Sequence, residues 1–357
     1  MNNKVALILS GSIWYSPYVR IYTRILDANN VDYKIISWNR EGDDQPEGFQ
    51  YNVRCENGHG SAGLSAYKGY LKFIKKTIKE QGFNRVIVFG PQMTCILSSF
   101  LLAHFRGRYM IDYRDLSIEQ KNGFKQLFAI MLKFSCVNVI SSPWFKRCLP
   151  KSKYFLSHNF NVESVRTALT SDSSESDFNV EKNIDVLTIG AIRDYDSNIE
   201  VTKALVNQKG FTLRFVGRGR DTVERLHTFC KTVKAKNVSF VGAYNKLEEA
   251  DYVKSSTFIN IFYPRVVTHD TALSNRFYNS LIYRKPMIVT KDTCQGEYAE
   301  KYNIGVALTD CGNLTEALRN FLKQDYSDYV RRCDDLLRDF LKDQMLFEDA
   351  VKKFILK

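Results

Sequence analysis

The chain has 357 residues, 44% apolar and 25% charged, with seven prolines and nineteen glycines; this is the make-up of a folded protein of about two domains and excludes a disordered or collagen-like chain. No run of about 18 apolar residues is present to span a bilayer, and the apolar residues 5–9 are too few for a signal peptide, so a cytoplasmic protein is expected. Of the net charge of +12, +11 falls within residues 1–158, which implies an anionic partner for the first half: nucleic acid, a phospholipid surface or a phosphorylated substrate.

Short apolar runs alternate with longer amphipathic ones, the signature of α/β units with parallel strands. In the first half the pattern predicts strands at 4–9, 32–37, 85–89, 108–112 and 137–141, with helices at about 17–28, 64–80, 93–104 and 120–135. The polar stretch 162–183, containing TSDSSESD, lacks periodicity and reads as a linker. Strands are then expected at 184–189, 212–216, 238–241, 258–261 and 287–290, with helices near 196–207, 221–233, 246–254, 273–283 and 295–302. The fold class that follows is α/β with two doubly wound, Rossmann-like domains: 1–160, a linker at 161–183, and 184–325. Helices at 326–357 could pack back on the first domain.

Eight cysteines are scattered without a C-x-x-C pair, so the sequence supports neither a metal site nor a disulfide framework. Gly217-Arg218-Gly219 sits between a strand and a helix, the context of a phosphate-binding turn, but Thr222 takes the place of the third glycine of a dinucleotide fingerprint; a tight turn is the competing reading. No P-loop is present. Asp194-Tyr195-Asp196 has the spacing that chelates a divalent ion with a nucleotide diphosphate, and reads preferably as a solvated loop. The predicted helix of the second amphipathic run puts Lys68, Lys72, Lys75 and Lys79 on one stripe beside Tyr67, Leu71, Ile74 and Ile78, which suits an anionic membrane surface or simply a solvated face.

In the second half, the strand 184–189 runs into Gly190-Ala-Ile-Arg193. Then come Leu213-Arg-Phe-Val-Gly217-Arg-Gly, Val238-Ser-Phe-Val-Gly242, Phe258-Ile-Asn-Ile-Phe-Tyr-Pro264 and Asn275-Arg276-Phe-Tyr-Asn279-Ser-Leu-Ile-Tyr-Arg-Lys-Pro286. This order resembles the donor-binding domain of glycosyltransferases of the GT-B architecture, most like the family-4, group-one enzymes of bacterial capsule and lipopolysaccharide synthesis. In the first half, Tyr109-Met-Ile-Asp-Tyr-Arg-Asp115 is similar to a strand ending in D-x-R-D, and Leu156-Ser-His-Asn159 to the strand closing the first domain of that family.

The resemblance implies two domains facing a cleft, a nucleotide-sugar donor on the second domain, and a saccharide acceptor on the first, one carried on a lipid at the inner membrane face. It further implies transfer with retention, no metal ion and no cofactor beyond the nucleotide-sugar co-substrate. It puts Arg193, Gly217, Arg218, Arg276 and Asn279 on the donor. A departing nucleoside diphosphate gains negative charge, which guanidinium groups and helix N-terminal amides stabilise. The family's paired glutamates, spaced E-x7-E, map onto Thr271 and Asn279, so neither carboxylate is present; Asn279 retains the capacity to bond a ribose hydroxyl.

Asp112, Arg114 and Asp115 close a strand on the cleft side, where an aspartate can polarise an acceptor hydroxyl; a helix cap is the other reading of Asp115. His59, in a glycine-flexible loop, offers a titratable group as a base or phosphate ligand, or is merely exposed. Gly11 and Ser12, with Trp14 beyond, offer an acceptor-side surface on which a sugar can stack, or belong to the core. The other classes in contention are a sugar-nucleotide 2-epimerase, which would need no acceptor, and a catalytically silent glycosyltransferase-like partner protein, suggested by the missing glutamates. Nucleic-acid binding has basicity in its favour but no recognition motif.

Overall fold

Five of the apolar runs predicted in the first half and the five in the second become parallel strands, because a strand covered by helices on both faces must be apolar along its whole length. The computed structural model describes residues 3–40, 42, 47–54, 64–171, 178 and 183–357. It divides into two units: residues 1–158 with 342–357, and residues 159–341.

Unit 1 contains a seven-stranded sheet of order β3-β2-β1-β4-β5-β6-β7, parallel throughout. Its strands are β1 (Lys4–Ile8), β2 (Asp32–Trp38), β3 (Phe49–Tyr51), β4 (Arg85–Phe89), β5 (Tyr109–Tyr113), β6 (Val137–Ile140) and β7 (Tyr154–Leu156). Helices α2 (Leu64–Gln81), α3 (Pro91–Ile96), α4 (Ser98–His104) and α5 (Phe124–Phe134) cover one face, where Tyr70, Ile74, Met93, Leu101 and Phe128 meet Ala6, Val86 and Ile111. The other face is covered by α1 (Val19–Ala28) and by the end of the last helix, through Tyr22, Leu26, Phe347, Val351 and Phe354. A short helix, α6 (Phe145–Cys148), follows β6.

Unit 2 opens with α7 (Val162–Thr170) and holds a six-stranded parallel sheet of order β10-β9-β8-β11-β12-β13. The strands are β8 (Ile184–Ala191), β9 (Phe211–Arg218), β10 (Val238–Gly242), β11 (Phe258–Ile261), β12 (Met287–Thr290) and β13 (Gly305–Leu308). They alternate with α8 (Tyr195–Leu205), α9 (Arg220–Thr232), α10 (Glu249–Lys254), α11 (Val267–Thr271), α12 (Asn275–Ile282), α13 (Cys294–Tyr302) and α14 (Leu314–Phe321). One core gathers Leu205, Leu226, Leu314 and Leu318 against Val186, Leu213 and Phe258. Elsewhere Phe277, Tyr278 and Tyr298 pack edge-on or tilted against Phe340 of α15 (Tyr326–Leu356).

Both sheets therefore have the 3-2-1-4 strand order of a doubly wound fold, with the winding reversing between β1 and β4 and between β8 and β11. The expected α/β class with two Rossmann-like sheets is found. Three details differ from the sequence reading. The stretch after residue 161 is not all linker: α7 forms there, its first turn capped by Asn161, whose side chain accepts from the amides of Glu163 and Ser164, and it buries Val165 and Ala168. Small apolar groups on one short face gave too little periodicity to be noticed. The predicted helix 93–104 breaks at Leu97 into α3 and α4, and the C-terminal stretch is one helix, α15, whose residues from 342 on belong to unit 1. No helix among the described residues is long and apolar enough to cross a membrane.

Candidate functional site

In unit 2 the connections leave β8 and β11 toward opposite faces of the sheet, which opens a crevice beyond their C-terminal ends. Gly190 and Gly217 lie side by side at the ends of β8 and β9. Gly217 has φ 137°, and a Cβ there would stand 1.9 Å from the Gly190 carbonyl oxygen, so only glycine fits and the edge is a shelf of bare backbone. Arg276, in the first turn of α12, is buried across the switch point: Nε donates to the Ile189 carbonyl (2.6 Å), Nη2 to Ala191 (2.9 Å) and Nη1 to Asn260 (3.2 Å). One guanidinium thus ties the ends of β8 and β11 together.

Beside this shelf stands a polar cluster. The Asn279 amide donates to Glu249 Oε1 (3.0 Å), Lys246 Nζ donates to the same oxygen, and the Tyr244 hydroxyl donates to Oε2. The Tyr244 hydroxyl also lies 3.9 Å from where a Cβ of Gly190 would be, which puts the cluster at the mouth of β8. Burial opposes ionisation of Glu249, but the bonds from Lys246, Tyr244 and Asn279 outweigh it and hold the carboxyl below the ordinary glutamate range; burial, then the adjacent carboxylate, pushes the Tyr244 phenol up. Arg193 and Arg218, just past β8 and at the end of β9, are exposed. Asp194, in a left-handed conformation ahead of α8, comes within 4.0 Å of His269 Nε2 on α11, while Asp196 lies in the first turn of α8. Among the described residues no group of three or more His, Cys, Asp or Glu could hold a metal ion.

Unit 1 carries charge at the corresponding edge. Asp112, at the end of β5, is completely buried; Arg114 Nε and Nη2 reach its two oxygens at 2.6 and 2.8 Å, and the Tyr22 hydroxyl also donates to it. Arg114 continues to the carbonyl and hydroxyl of Ser157, both at 2.9 Å. The neighbouring His158, buried and therefore held below the usual histidine range, meets Asp343 of α15 at 3.3 Å. Asp115 reaches solvent, yet its desolvating surroundings, with Asp112 adding, raise its carboxyl against the pull of Arg114. The turn after β1 holds buried Ser12, and Trp14 and Tyr15 stand 81% and 55% exposed. Near the same end of β1, Arg40 donates to the Ser10 carbonyl and the Tyr67 hydroxyl and lies over the Trp38 ring.

The residues singled out in the sequence thus have different fates. Asp112 must be corrected: with no exposed atom and both oxygens occupied, it is an internal counterion and not a group that polarises an acceptor. Asp115 remains accessible. Gly217, Arg218, Arg193, Arg276 and Asn279 gather at one end of the unit 2 sheet, but Arg276 is bonded to the protein's own carbonyls. Gly11, Ser12 and Trp14 share the turn after β1, with Trp14 outside the core. His59 lies outside the described residues. On α2, Lys68, Lys72 and Lys79 are exposed, whereas Lys75 is half-buried over the Phe100 ring. Sequence reasoning missed Tyr244 and Glu249 altogether. The run Asn245-Lys-Leu-Glu248 shows a capping box, but nothing local announces that Glu249 meets a residue 30 positions away.

No family model and no curated protein matches the chain. Solved structures do. HepE from Anabaena, in complex with UDP and glucose, aligns with a TM-score of 0.68 at 11% identity over 99% of this chain and 100% of that one. Sucrose-phosphate synthase from Thermosynechococcus elongatus aligns at 0.65 and 13% identity, over 98% and 99%. UDP-N-acetylglucosamine 2-epimerase from Rickettsia bellii aligns at 0.58 and 11% identity, over 99% of each chain. At such identities the likeness is one of fold, and the fold is the one these three proteins share.

Proposed function

We propose that this protein is a glycosyltransferase that moves a sugar from a nucleotide-sugar donor to a saccharide acceptor carried on a lipid, in the synthesis of a bacterial surface polysaccharide. The observation that carries the reading is the bare backbone shelf at Gly190 and Gly217, flanked by Arg193, Arg218 and the Glu249 cluster, on a fold whose neighbours include HepE solved with UDP and glucose. A shelf without side chains lets a diphosphate approach the main chain, and the two exposed guanidiniums neutralise charge as it develops on the leaving group. The amides opening α12 add to this field. Asp115 is the group on unit 1 that would accept the hydrogen bond of the acceptor hydroxyl, and Trp14 the ring on which the acceptor sugar stacks. Transfer proceeds with retention, as the family resemblance implies, and without a metal.

The test is thermal shift against UDP, GDP, CMP and TDP sugars, since a ligand bound to the native state raises its melting temperature in step with occupancy. Stabilisation by one nucleotide series is expected. No stabilisation by any would favour a silent partner protein, and conversion of the donor with no acceptor present would make the chain an epimerase. Turnover should be unchanged in EDTA, because cations of the protein carry the leaving-group charge. Loss on chelation, reversed by magnesium or manganese, would turn attention back to Asp194 and Asp196.

The acceptor's lipid is assigned to the basic first half. Lys68, Lys72 and Lys79 project from α2, and Phe124 and Ile130 of α5 are exposed in the helical layer on the same face of the sheet. Each lysine near an acidic bilayer contributes about 1 kcal/mol, screened over about 8 Å at physiological salt. The protein should float with phosphatidylglycerol vesicles at low salt and release at high salt, and changing Lys68, Lys72, Lys75 and Lys79 to Gln should abolish flotation. Equal flotation of both proteins, or of neither, would assign the charge to a soluble anionic acceptor.

A further inference from the structure

At the other end of the unit 2 sheet, away from the crevice, lies a cavity of about 890 Å³. Its floor holds Ile184 and Phe211, the buried first residues of β8 and β9. Six residues separate Ile184 from Gly190, so at about 3.3 Å per residue the cavity is roughly 20 Å from the glycine shelf. One wall is the turn Gln208-Lys209-Gly210 that enters β9. The other is the outer side of α14, where Thr315, Arg319 and, just past the helix, Lys323 recur at every fourth position while Leu314 and Leu318 fill the core. The walls are tied together: Arg319 Nη2 donates to the Lys209 carbonyl (3.0 Å), and its guanidinium lies 5.2 Å from the Phe211 ring centre. Lys323 Nζ donates to Asn320 Oδ1 (2.8 Å). Both cations are thus held by neutral partners. Among the described residues none of Lys209, Arg319 and Lys323 is paired with a carboxylate. With Glu316 also in the lining, three cations against one carboxylate leave a formal excess of +2. Residues 159–357 carry only +1 overall, so this concentration is local.

A phosphate monoester carries a charge of about −1.5 to −2 at neutral pH, which matches this excess. Arg319 spends one of its five N–H donors on the turn and Lys323 one of its three on Asn320, so donors remain for phosphate oxygens. The cavity is much larger than a phosphate and has the size of a small-molecule site, about 300 to 1,000 Å³, so its occupant has a body beyond the anion. Glu316, Asn320, Gln208 and Thr315 offer that body carboxylate, amide and hydroxyl partners, the complement of a polyol, and the small apolar floor suits the C–H face of a sugar ring. A nucleobase fits less well, because Arg319 already lies by the Phe211 ring on which a base would stack. We infer that this cavity is a second ligand site, for a phosphorylated saccharide, with Lys209, Arg319 and Lys323 on the phosphate and Glu316 and Asn320 on the sugar hydroxyls. It is separate from the crevice and stands whatever binds there.

The experiment titrates the whole protein by calorimetry with a panel of hexose 1-phosphates and 6-phosphates, with the parent hexoses and with inorganic phosphate, each alone and with an excess of UDP and GDP. At least one sugar phosphate should bind about 10-fold or more tightly than either its hexose or inorganic phosphate, since each half of the ligand adds a charged or polar contact. The nucleotides should leave that affinity unchanged. Changing Lys209, Arg319 and Lys323 together to Gln should weaken it by about 10- to 100-fold, and Lys323→Gln alone by about 3- to 10-fold, the order of charge-assisted bonds lost. Lys323→Gln carries the test if the triple variant does not fold. A sugar phosphate that nucleotides displace, or that binds the variants as tightly as the wild type, lies in another place and overturns the inference. Affinity for inorganic phosphate equal to that for every sugar phosphate overturns the saccharide assignment, and binding of no sugar phosphate overturns the site altogether.

Discussion

Replacing Asp112 by Ala should destabilise the protein by about 3 to 5 kcal/mol, measured by urea unfolding, because it leaves Arg114 buried without its counterion. Asp112 is wholly enclosed and Arg114 nearly so, and the pair also holds the Tyr22 hydroxyl of α1 and the Ser157 main chain after β7. Three segments of unit 1 thus share one ion pair. Changing both partners, as in Asp112→Leu with Arg114→Met, removes the stranded charge and should recover a large part of the loss, since apolar replacements of a buried pair are often tolerated. A catalytic aspartate would behave differently: its loss would abolish turnover and leave stability nearly intact. That second pattern would return Asp112 to the reaction.

A loss of about 3 to 5 kcal/mol is likewise expected for Arg276→Ala, in this case in unit 2. The guanidinium satisfies the carbonyls of Ile189, Ala191 and Asn260 at a buried strand edge, and each carbonyl left without a partner costs about 1 to 3 kcal/mol, with part recovered by water entering the gap. Nucleotide affinity should fall as well, through the shelf that Arg276 supports. Arg276→Lys separates the two effects, because a single ammonium can keep the positive charge but cannot reach all three carbonyls. Thermal unfolding should show it destabilised nearly as much as the alanine variant. A stable Arg276→Ala protein with weakened nucleotide binding would mean that the arginine faces the ligand, as the sequence resemblance suggests.

The parts of the fold that were legible are those whose cause is local. Runs such as 85–89 and 258–261 are apolar at every position because helices cover both faces, and that signal survives without any partner in view. The edge strands β3 and β13 are half-buried throughout, so their residues need no continuous apolarity and neither stood out. At the site, the α/β pattern puts Gly190 and Gly217 at strand ends and Arg276 at a helix start, and the family resemblance puts Arg193, Gly217 and Arg276 on the donor. What they touch was not legible. Whether Arg276 faces a ligand or three carbonyls depends on segments 16 to 87 residues away, and Asp112 is internal only because Tyr22 and Arg114 close over it. Glu249 is the sharpest case: the sequence shows two positions of an expected acidic pair filled by Thr271 and Asn279, while a carboxylate reaches the Asn279 side chain from another helix.

Unit 1 is discontinuous, and this fixes an order of events during its synthesis. Asn3 bonds to the carbonyl of Ile355, 352 positions later, and Phe347, Val351 and Phe354 fill the same core as Val5, Leu7 and Tyr22. While the ribosome is still making unit 2, one side of the first sheet has only α1 to shield it. The apolar side chains of β1 and β4 on that side wait for the last turns of α15, a closure across nearly the whole chain that is slow and keeps sticky surface open meanwhile. That face of the first sheet is therefore the last to close, and a chain shortened by residues 342–357 should leave the apolar side of β1 and β4 uncovered.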